Sequence, residues 1–570
     1  MTTPDADPSG PGPIDPVSGR ALPRVIPAAA PPAQRAPRPD RLGRDLLLAA
    51  LPVVVLGLLV RLWIGHTPLV IANSDEALVG LQAREVLHGT FRLMVAGNDY
   101  GSTTESYLLA PLLLIGSGTW PLRLLAGILW FAVALAVVRL ARPIVGPVPA
   151  LIAGLLTFTF SSAVVILSSR PYFGYPTGVL AEVVALIAAG AAMAVPVARR
   201  RSRPRPNAAD ADDAADADPV ASEQLEPPAR RLWPIALVAG LAAGFAIWSH
   251  PMFGLMALIG LLPPTVRHWR RWGQWWLTVA VGGVAGVSPW LIYITQKGRP
   301  QAAYSASEST YPERIGRYLS ELLPRMFGAE TFDGDWVRPA PAAVAVSAVL
   351  IVAVFAGLVL LVVRRGAVAW PVALVGVAGI PALALFPQTV YVNDARYALP
   401  LLPAVVLGLV FWSTLLPGYR PADLAGPAAP GRPRRPRWPV VVVPVIWILL
   451  TCVPVTVQQT GWTWGDPDAN AKATADLLVD NGVRFVRGDY WTTYLLDYYA
   501  DGALQVRPDF TMRLADEAAA VDRASRDEPY KVALVYEQGD PPKLVLPAAD
   551  YQLLRVGTYD VYLPQVSTGR

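Results

Sequence analysis

Carboxylates, arginines and tyrosines gather at the ends of apolar runs in this chain. Beyond the first run stands Asn73-Ser74-Asp75-Glu76-Ala77, followed by the amphipathic stretch 78–89, in which Arg84 and Glu85 face outward. Asn98-Asp99-Tyr100-Gly101-Ser102-Thr103-Thr104-Glu105 comes next. Further along are Ser169-Arg170-Pro171-Tyr172, Trp248-Ser249-His250-Pro251 and Tyr391-Val392-Asn393-Asp394-Ala395-Arg396-Tyr397. A carboxylate can take the proton of an acceptor hydroxyl. An arginine fork holds a leaving phosphate through paired charge-assisted bonds. Aromatic rings lie against sugar faces or sit at headgroup level. Together these groups suit chemistry on a lipid-linked phosphate. Each also has a plainer reading. An Asp-Glu pair after a run serves as a helix start, a single arginine as an anchor that snorkels to water, and His250 as a cap or packing residue. Asp75, Glu76, Glu105 and His250 include hard and borderline metal ligands, so a divalent metal stays open.

The elements that must position these groups are membrane spans. Of 570 residues, 53% are hydrophobic and 16% charged, with a mean hydropathy of +0.39. A soluble protein carries about a quarter charged residues, so a soluble enzyme is excluded. The apolar residues fall in blocks of about 20, enough to cross a hydrocarbon core roughly 30 Å thick. They lie near 45–65, 121–140, 146–168, 176–197, 232–249, 251–266, 275–296, 341–363, 367–389, 398–416 and 439–457. Basic clusters at 35–44, 139–142, 199–231, 267–271, 364–365 and 432–437 are separated by even numbers of these blocks. The positive-inside rule then gives eleven spans in a cytoplasmic membrane, with the amino terminus inside and the carboxyl terminus outside.

The short run Tyr107–Gly116 would invert every later loop if it crossed. It is therefore expected as an interfacial or re-entrant helix in a long first external loop. The net charge of +5 belongs to the arginine clusters that set orientation, and no nucleic-acid partner is implied. The single cysteine, Cys452, excludes an intrachain disulfide.

Three polar stretches cannot bury a core and are expected as disordered cytoplasmic segments: a tail over 1–44 and loops over 198–231 and 418–438. The membrane domain then runs from 45 to 458, and 459–570 forms a small extracytoplasmic α/β domain. Its expected elements are helices at 470–481, 490–499 and 513–526, strands at 483–487 and 531–536, and a hairpin over 553–563. Lacking a phosphate loop or nucleophile elbow, it is expected to dock or shape an acceptor. The external loop 297–340 is either a lid or a solvated connector.

The spacing over 73–125 goes further. It runs D-E-A from Asp75, G-x-x-A-R-E-x-x-x-G from Gly80, Y-G-S-T-T-E-x-Y-x-x-A-P from Tyr100 and P-L-R from Pro121. This order resembles the GT-C superfamily of integral-membrane glycosyltransferases, near the protein O-mannosyltransferases and the lipid A aminoarabinose transferases. The resemblance covers about residues 45–416. It implies a bundle with juxtamembrane helices in the first external loop and a polyprenyl-phosphate sugar as donor. Asp75 matches the catalytic base, with Glu76 beside it and Glu105 at the second acidic position. Arg170 and Tyr172 stand where the family has polar groups on the second external loop. Arg396 and Tyr397 match an R-Y before a late L-P-x-L-P run and would hold the donor phosphate, and Tyr100 and His250 would line the substrate.

The acceptor, whether glycan, lipid or protein, is left undetermined, and membrane lipid is the surrounding partner. A transporter or flippase of lipid-linked sugars, or a non-catalytic scaffold of the same fold, is the alternative. A transporter places charge mid-helix along a pathway, whereas here nearly every ionisable group sits at a helix end.

Overall fold

The computed structural model describes residues 41–196, 232–271, 273–297, 309–387, 395–415 and 438–565. Nearly all of 1–44, 198–231 and 418–438, and the residues Tyr391 to Asp394, lie outside the described residues. Two compact units divide the chain at Leu47. Of the first, only the opening of one helix is described; the remainder of that helix and every other described element belong to the second.

Every expected apolar block is helical. In order, α1 (Arg41–Ile64) is followed by the short α2 (Ser74–Leu87) and α3 (Thr104–Leu113), then by α4 (Trp120–Val145). The third block is bent by 72° into α5 (Pro147–Phe158) and α6 (Ser162–Ser168). Then come α7 (Tyr175–Ala194), α8 (Leu232–Ser249), α9 (Pro251–Arg267) and α10 (Trp276–Lys297). A helical segment contains α11 (Tyr311–Arg317) and α12 (Leu323–Met326) and leads to α13 (Ala340–Arg365) and α14 (Trp370–Leu383). The last blocks are α15 (Leu402–Phe411), α16 (Trp438–Thr451) and α17 (Val453–Thr460).

Among the described residues, seven helices are long and apolar enough to cross a membrane, or eight with the bent α5–α6 pair. One of these is the continuous run Ala340–Leu383, which contains both α13 and α14. It cannot be a straight rod. A Cβ on Gly376 would meet the Leu358 side chain at 2.3 Å, although 18 helical residues extend about 27 Å. The chain folds back at Gly366, whose φ of +64° suits glycine. α3, at ten residues, reaches only about 15 Å and is too short to cross.

Helix directions alternate from α7 to α10. α7 and α9 run parallel, with Gly178 against Phe253 near their starts and Gly260 against Leu186 further along. α8 and α10 are also parallel and touch backbone to backbone. A Cβ on Gly240 would stand 2.1 Å from the Val279 carbonyl, and one on Gly244 the same distance from that of Gly283. Small residues allow such approach between apolar helices. Arg142, Arg267, Arg364 and Arg365 all lie in the last turns of their helices, at the end of the bundle remote from α2.

Loop 297–340 is neither a free connector nor an open flap where it is described. Leu322, Leu323, Met326 and Phe327 are buried, and Arg325 pairs with Glu330 at 3.3 Å. Arg314 donates to the Ala384 carbonyl at 2.6 Å, and Glu313 accepts from the Thr310 amide at 2.8 Å, which spends it on a helix start.

The C-terminal part holds α18 (Ala469–Asp480), α19 (Tyr490–Tyr499), α20 (Ala515–Asp527) and five strands. These are β1 (Phe485–Gly488), β2 (Gln505–Pro508), β3 (Val532–Glu537), β4 (Tyr551–Val556) and β5 (Tyr559–Pro564). Their order is β2-β1-β3-β5-β4, with β1 parallel to β2 and β3 and the β4–β5 hairpin antiparallel. β2 is the element that the sequence pattern misses, being four residues with Pro508 at its end. On one face the sheet keeps a small core of its own, Val521 and Ala524 of α20 packing on Val532 and Leu534 of β3 and Tyr551 of β4; the other face is shared. One buried cluster joins Leu78 and Leu81 of α2, Leu109 of α3, Tyr494 and Tyr498 of α19, and Val486 and Val535 of the sheet.

Candidate active site

Asn73 caps α2, its side-chain oxygen accepting from the Glu76 amide at 3.2 Å. Asp75 and Glu76 thus fall in the first turn, where the helix dipole favours carboxylates. Successive helical residues are about 100° apart, so the two side chains part. Glu76 goes into the bundle and is fully buried. Arg123 of α4 donates to its Oε2 at 2.6 Å, and Arg170 Nε stands 3.2 Å from Oε1. Burial raises this carboxyl above the ordinary range, against the opposing charges of Arg123 and Arg170. Arg123 also holds the Val70 carbonyl at 2.7 Å. Arg170 donates to the carbonyls of Leu69 and Ile71 and to the Tyr172 hydroxyl, at 2.9, 3.0 and 2.7 Å. These contacts brace the turn that enters α2 against α4 and the loop after α6.

Asp75 turns the other way, toward α19. Its Oδ1 accepts from the Tyr490 hydroxyl at 2.5 Å, and the side chain is nearly covered. Next to it the Ser74 hydroxyl accepts from the Tyr494 amide at 3.2 Å. Asp468, ahead of α18, fastens the same turn by accepting from the Ala72 amide at 2.8 Å and the Thr119 hydroxyl at 2.9 Å.

Glu105, in the first turn of α3, is a second internal strut. It accepts from the Gly174 amide at 3.1 Å and from the Thr177 hydroxyl at 2.7 Å. Burial pushes this carboxyl up to about 7, although these hydrogen bonds favour the charged form. In this structure Glu76 and Glu105 are both occupied by packing partners.

The remaining candidates form one aromatic and cationic cluster. His250 caps α9 by accepting from the Met252 amide at 3.4 Å, and Tyr100 and Tyr175 each pack 5.1 Å from its ring. Burial and then the Arg396 charge lower the imidazole to about 3, so it is neutral. Tyr175 leads to Tyr172 at 6.0 Å. Tyr172 has two guanidinium groups on its ring, Arg170 at 5.8 Å and Arg396 at 5.5 Å, and Arg396 also lies 5.9 Å from the Tyr397 ring. Tyr100, Arg170, Tyr172, His250, Arg396 and Tyr397 therefore meet at one end of the bundle. The Arg170–Glu76 contact links that cluster to the residue beside Asp75. Among the described residues, no three of His, Cys, Asp and Glu converge to hold a metal.

Sequence reasoning misses Arg123 as a site residue, along with Tyr490, Arg513 and Asp468. Arg123 carried a signal, since it is a charge near the start of an apolar block. Tyr490 carried none, because it lies 415 positions from its partner.

No protein-family model matches the chain, and no curated protein matches it by sequence. Solved structures do. The chain is similar to ArnT from Cupriavidus metallidurans in the apo state, with a TM-score of 0.57 and 14% identity over 92% of this chain and 98% of that one. It is similar to the same protein bound to undecaprenyl phosphate, with a TM-score of 0.54 and 16% identity over 90% and 97%. The archaeal oligosaccharyltransferase AglB from Archaeoglobus fulgidus matches at a TM-score of 0.45 and 12% identity, covering 86% of this chain and 69% of that one. With 92% of this chain and 98% of the other covered, the chain has the fold of ArnT, in keeping with the GT-C fold that the spacing over 73–125 leads one to expect.

Proposed function

We propose that the protein transfers a sugar from a polyprenyl phosphate to an acceptor hydroxyl at the outer face of a cytoplasmic membrane. The observation that carries this reading is that a carboxylate at the start of α2 and a cation-rich aromatic cluster lie at the same end of the bundle, linked through Arg170 and Glu76. That end is opposite the arginine-rich helix ends, which the positive-inside rule assigns to the cytoplasm. The ArnT protein with the same fold has been seen with undecaprenyl phosphate bound, which supports a donor of that class here.

In the reaction, Asp75 takes the proton of the acceptor hydroxyl. The acceptor oxygen bonds to the anomeric carbon as the bond from that carbon to the phosphate oxygen breaks, and configuration inverts. The electron pair leaves with polyprenyl phosphate, whose growing charge Arg396 holds. Arg170 is already committed to Glu76, two carbonyls and Tyr172. It serves by orienting Tyr172 and adding field at the phosphate. His250, Tyr100 and Tyr397 shape the donor side, while Glu76 and Glu105 hold the frame.

Purified protein supplied with a polyprenyl-phosphate sugar should release polyprenyl phosphate, and Asp75→Asn should lower kcat by about 100- to 10,000-fold. Release at the wild-type rate in that variant would remove Asp75 as the base. Glu182 favours a second reading, as a transporter. It is buried within α7, and neither carboxyl oxygen has a hydrogen-bond partner among the described residues. Intramembrane carboxylates of that kind often mark a pathway. Movement of a lipid-linked sugar across vesicles, lost in Glu182→Gln and kept in Asp75→Asn, would decide for transport.

A further inference from the structure

The hydroxyl that meets Asp75 comes from the C-terminal sheet domain. Tyr490 opens α19 and is 3% exposed. Asp489 caps that helix, accepting from the Trp491 amide at 2.7 Å, and the rings of Phe510 and Tyr494 pack 5.7 and 6.0 Å from the Tyr490 ring. The side chain is therefore held on three sides.

The direction of the hydrogen bond follows from a third residue. Arg513 Nε reaches the Tyr490 oxygen at 3.3 Å. A guanidinium has donors and no acceptor, so the phenol oxygen must accept there. Its single O–H is then left for Asp75. Arg513 is itself anchored on the first external loop, donating to the Gly97 carbonyl at 3.0 Å and to the Asn98 side chain. The Gly97 position has no room to drift, since a Cβ there would stand 2.6 Å from the Arg513 Cα. Burial, and next the Asp75 charge, raises the phenol well above its ordinary value. It keeps its proton and remains a donor.

A carboxylate that works as a base must present one oxygen to the incoming hydroxyl, and misplacement by about 1 Å can cost 100-fold. With Oδ1 engaged by Tyr490, Oδ2 is the oxygen left for the acceptor. We propose that Tyr490 is a positioning residue for Asp75. It fixes the rotation of the carboxylate so that Oδ2 faces the acceptor, with Arg513 setting the direction of the phenol. On this view the C-terminal domain completes the active site instead of only docking beside it. The proposal rests on the reading of Asp75 as base.

The test uses full-length purified protein, a polyprenyl-phosphate sugar and four forms: wild type, Asp75→Asn, Tyr490→Phe and Tyr498→Phe. Tyr498 lies two turns further along α19 and donates to the Gly118 carbonyl at 2.7 Å, so its variant loses an equivalent contact away from Asp75. Tyr490→Phe keeps the ring and is expected to lower kcat about 100-fold, leaving the donor KM within about twofold. Tyr498→Phe is expected to keep the wild-type kcat. If Tyr490→Phe keeps full kcat while Asp75→Asn is inactive, the positioning role is wrong and the base assignment stands. An equal loss in both tyrosine variants would trace the effect to docking of the domain and overturn the proposal. Activity in Asp75→Asn would remove the base, and the positioning role with it.

Discussion

On the bundle side of α2, Glu76 is sealed between Arg123 and Arg170. On the other side, one residue earlier, Asp75 meets Tyr490 at the edge of the sheet domain. The two carboxylates share a capped helix start and differ by one step of rotation. Glu76 is part of a frame in which charge meets charge and backbone carbonyls. Breaking such a buried pair strands the partners, and so the frame carries stability. Asp75 and the His250–Tyr172–Arg396 cluster are built differently. There the described contacts are a neutral phenol on Asp75 and aromatic rings around His250 and Arg396, which hold position. Residues adjacent in sequence can therefore answer to separate demands, and mutations should separate them.

Glu76→Gln should give the largest change. Removing one member of a buried ion pair costs about 3–5 kcal/mol, because Arg123 and Arg170 lose their common counter-charge. The thermal midpoint of the detergent-purified protein should fall steeply, and an unchanged midpoint would put Glu76 outside the frame. Arg396→Ala should do the reverse. It should leave the midpoint near wild type and raise the donor KM about 10- to 100-fold, the worth of a hydrogen bond to a charged group at roughly 1.5–3 kcal/mol. A midpoint loss as large as that of Glu76→Gln would place Arg396 in the frame.

Gly174 lies where the two regions touch, since its amide binds Glu105 and it stands next to the cluster. Its φ is +73°, and a Cβ there would stand 2.3 Å from the Ser249 carbonyl oxygen. Gly174→Ala should cost about 1–2 kcal/mol from the backbone conformation alone. The contact is with backbone, so no side-chain rotation relieves it. Midpoint and kcat should fall together, and a loss in only one would show that frame and cluster are uncoupled at this point.

Much of this was legible from the amino acids, for identifiable reasons. Apolar blocks about 20 residues long report directly on a hydrocarbon core, and each became helix. The arginine clusters settled the status of Tyr107–Gly116, whose helix α3 ends at Leu113 after ten residues. Polar residues at helix ends pointed to Arg170, Tyr172, His250 and Arg396, which lie in one cluster because a bundle brings helix ends on one side together. Which carboxylate faces what was not legible. That depends on helix rotation and on the docking of α19, a contact with no local pattern. The strand β2 escaped for a similar reason: with Val506 buried between half-buried neighbours, its four residues are recognisable chiefly through their pairing with β1. Loop 297–340 looked polar in bulk, and its buried apolar residues, Leu322, Leu323, Met326 and Phe327 among them, were diluted by the charges around them.

The last expected effect concerns how the sheet domain seats on α2, and it is a matter of pH. Asp497 of α19 is 2% exposed, and its Oδ1 has no hydrogen-bond partner among the described residues. Burial, and then the Glu517 charge, push it up from 3.8 to about 8. Glu517 itself is raised by burial from 4.5 to about 7. Between about pH 4 and pH 8 the folded form then holds protons that the unfolded chain has released, so stability falls as pH rises. The contribution is full below the unfolded values and is lost by the time the pH passes the folded ones. The thermal midpoint should therefore decline between pH 5 and pH 8.5, and Asp497→Asn should flatten most of that slope. Amide exchange in α19, taken relative to the intrinsic rate at each pH, should quicken over the same range while that in α7 stays constant. Equal quickening in both helices would mean that the bundle and the sheet domain open as one, and that the division drawn at α2 is a matter of chemistry and not of local stability.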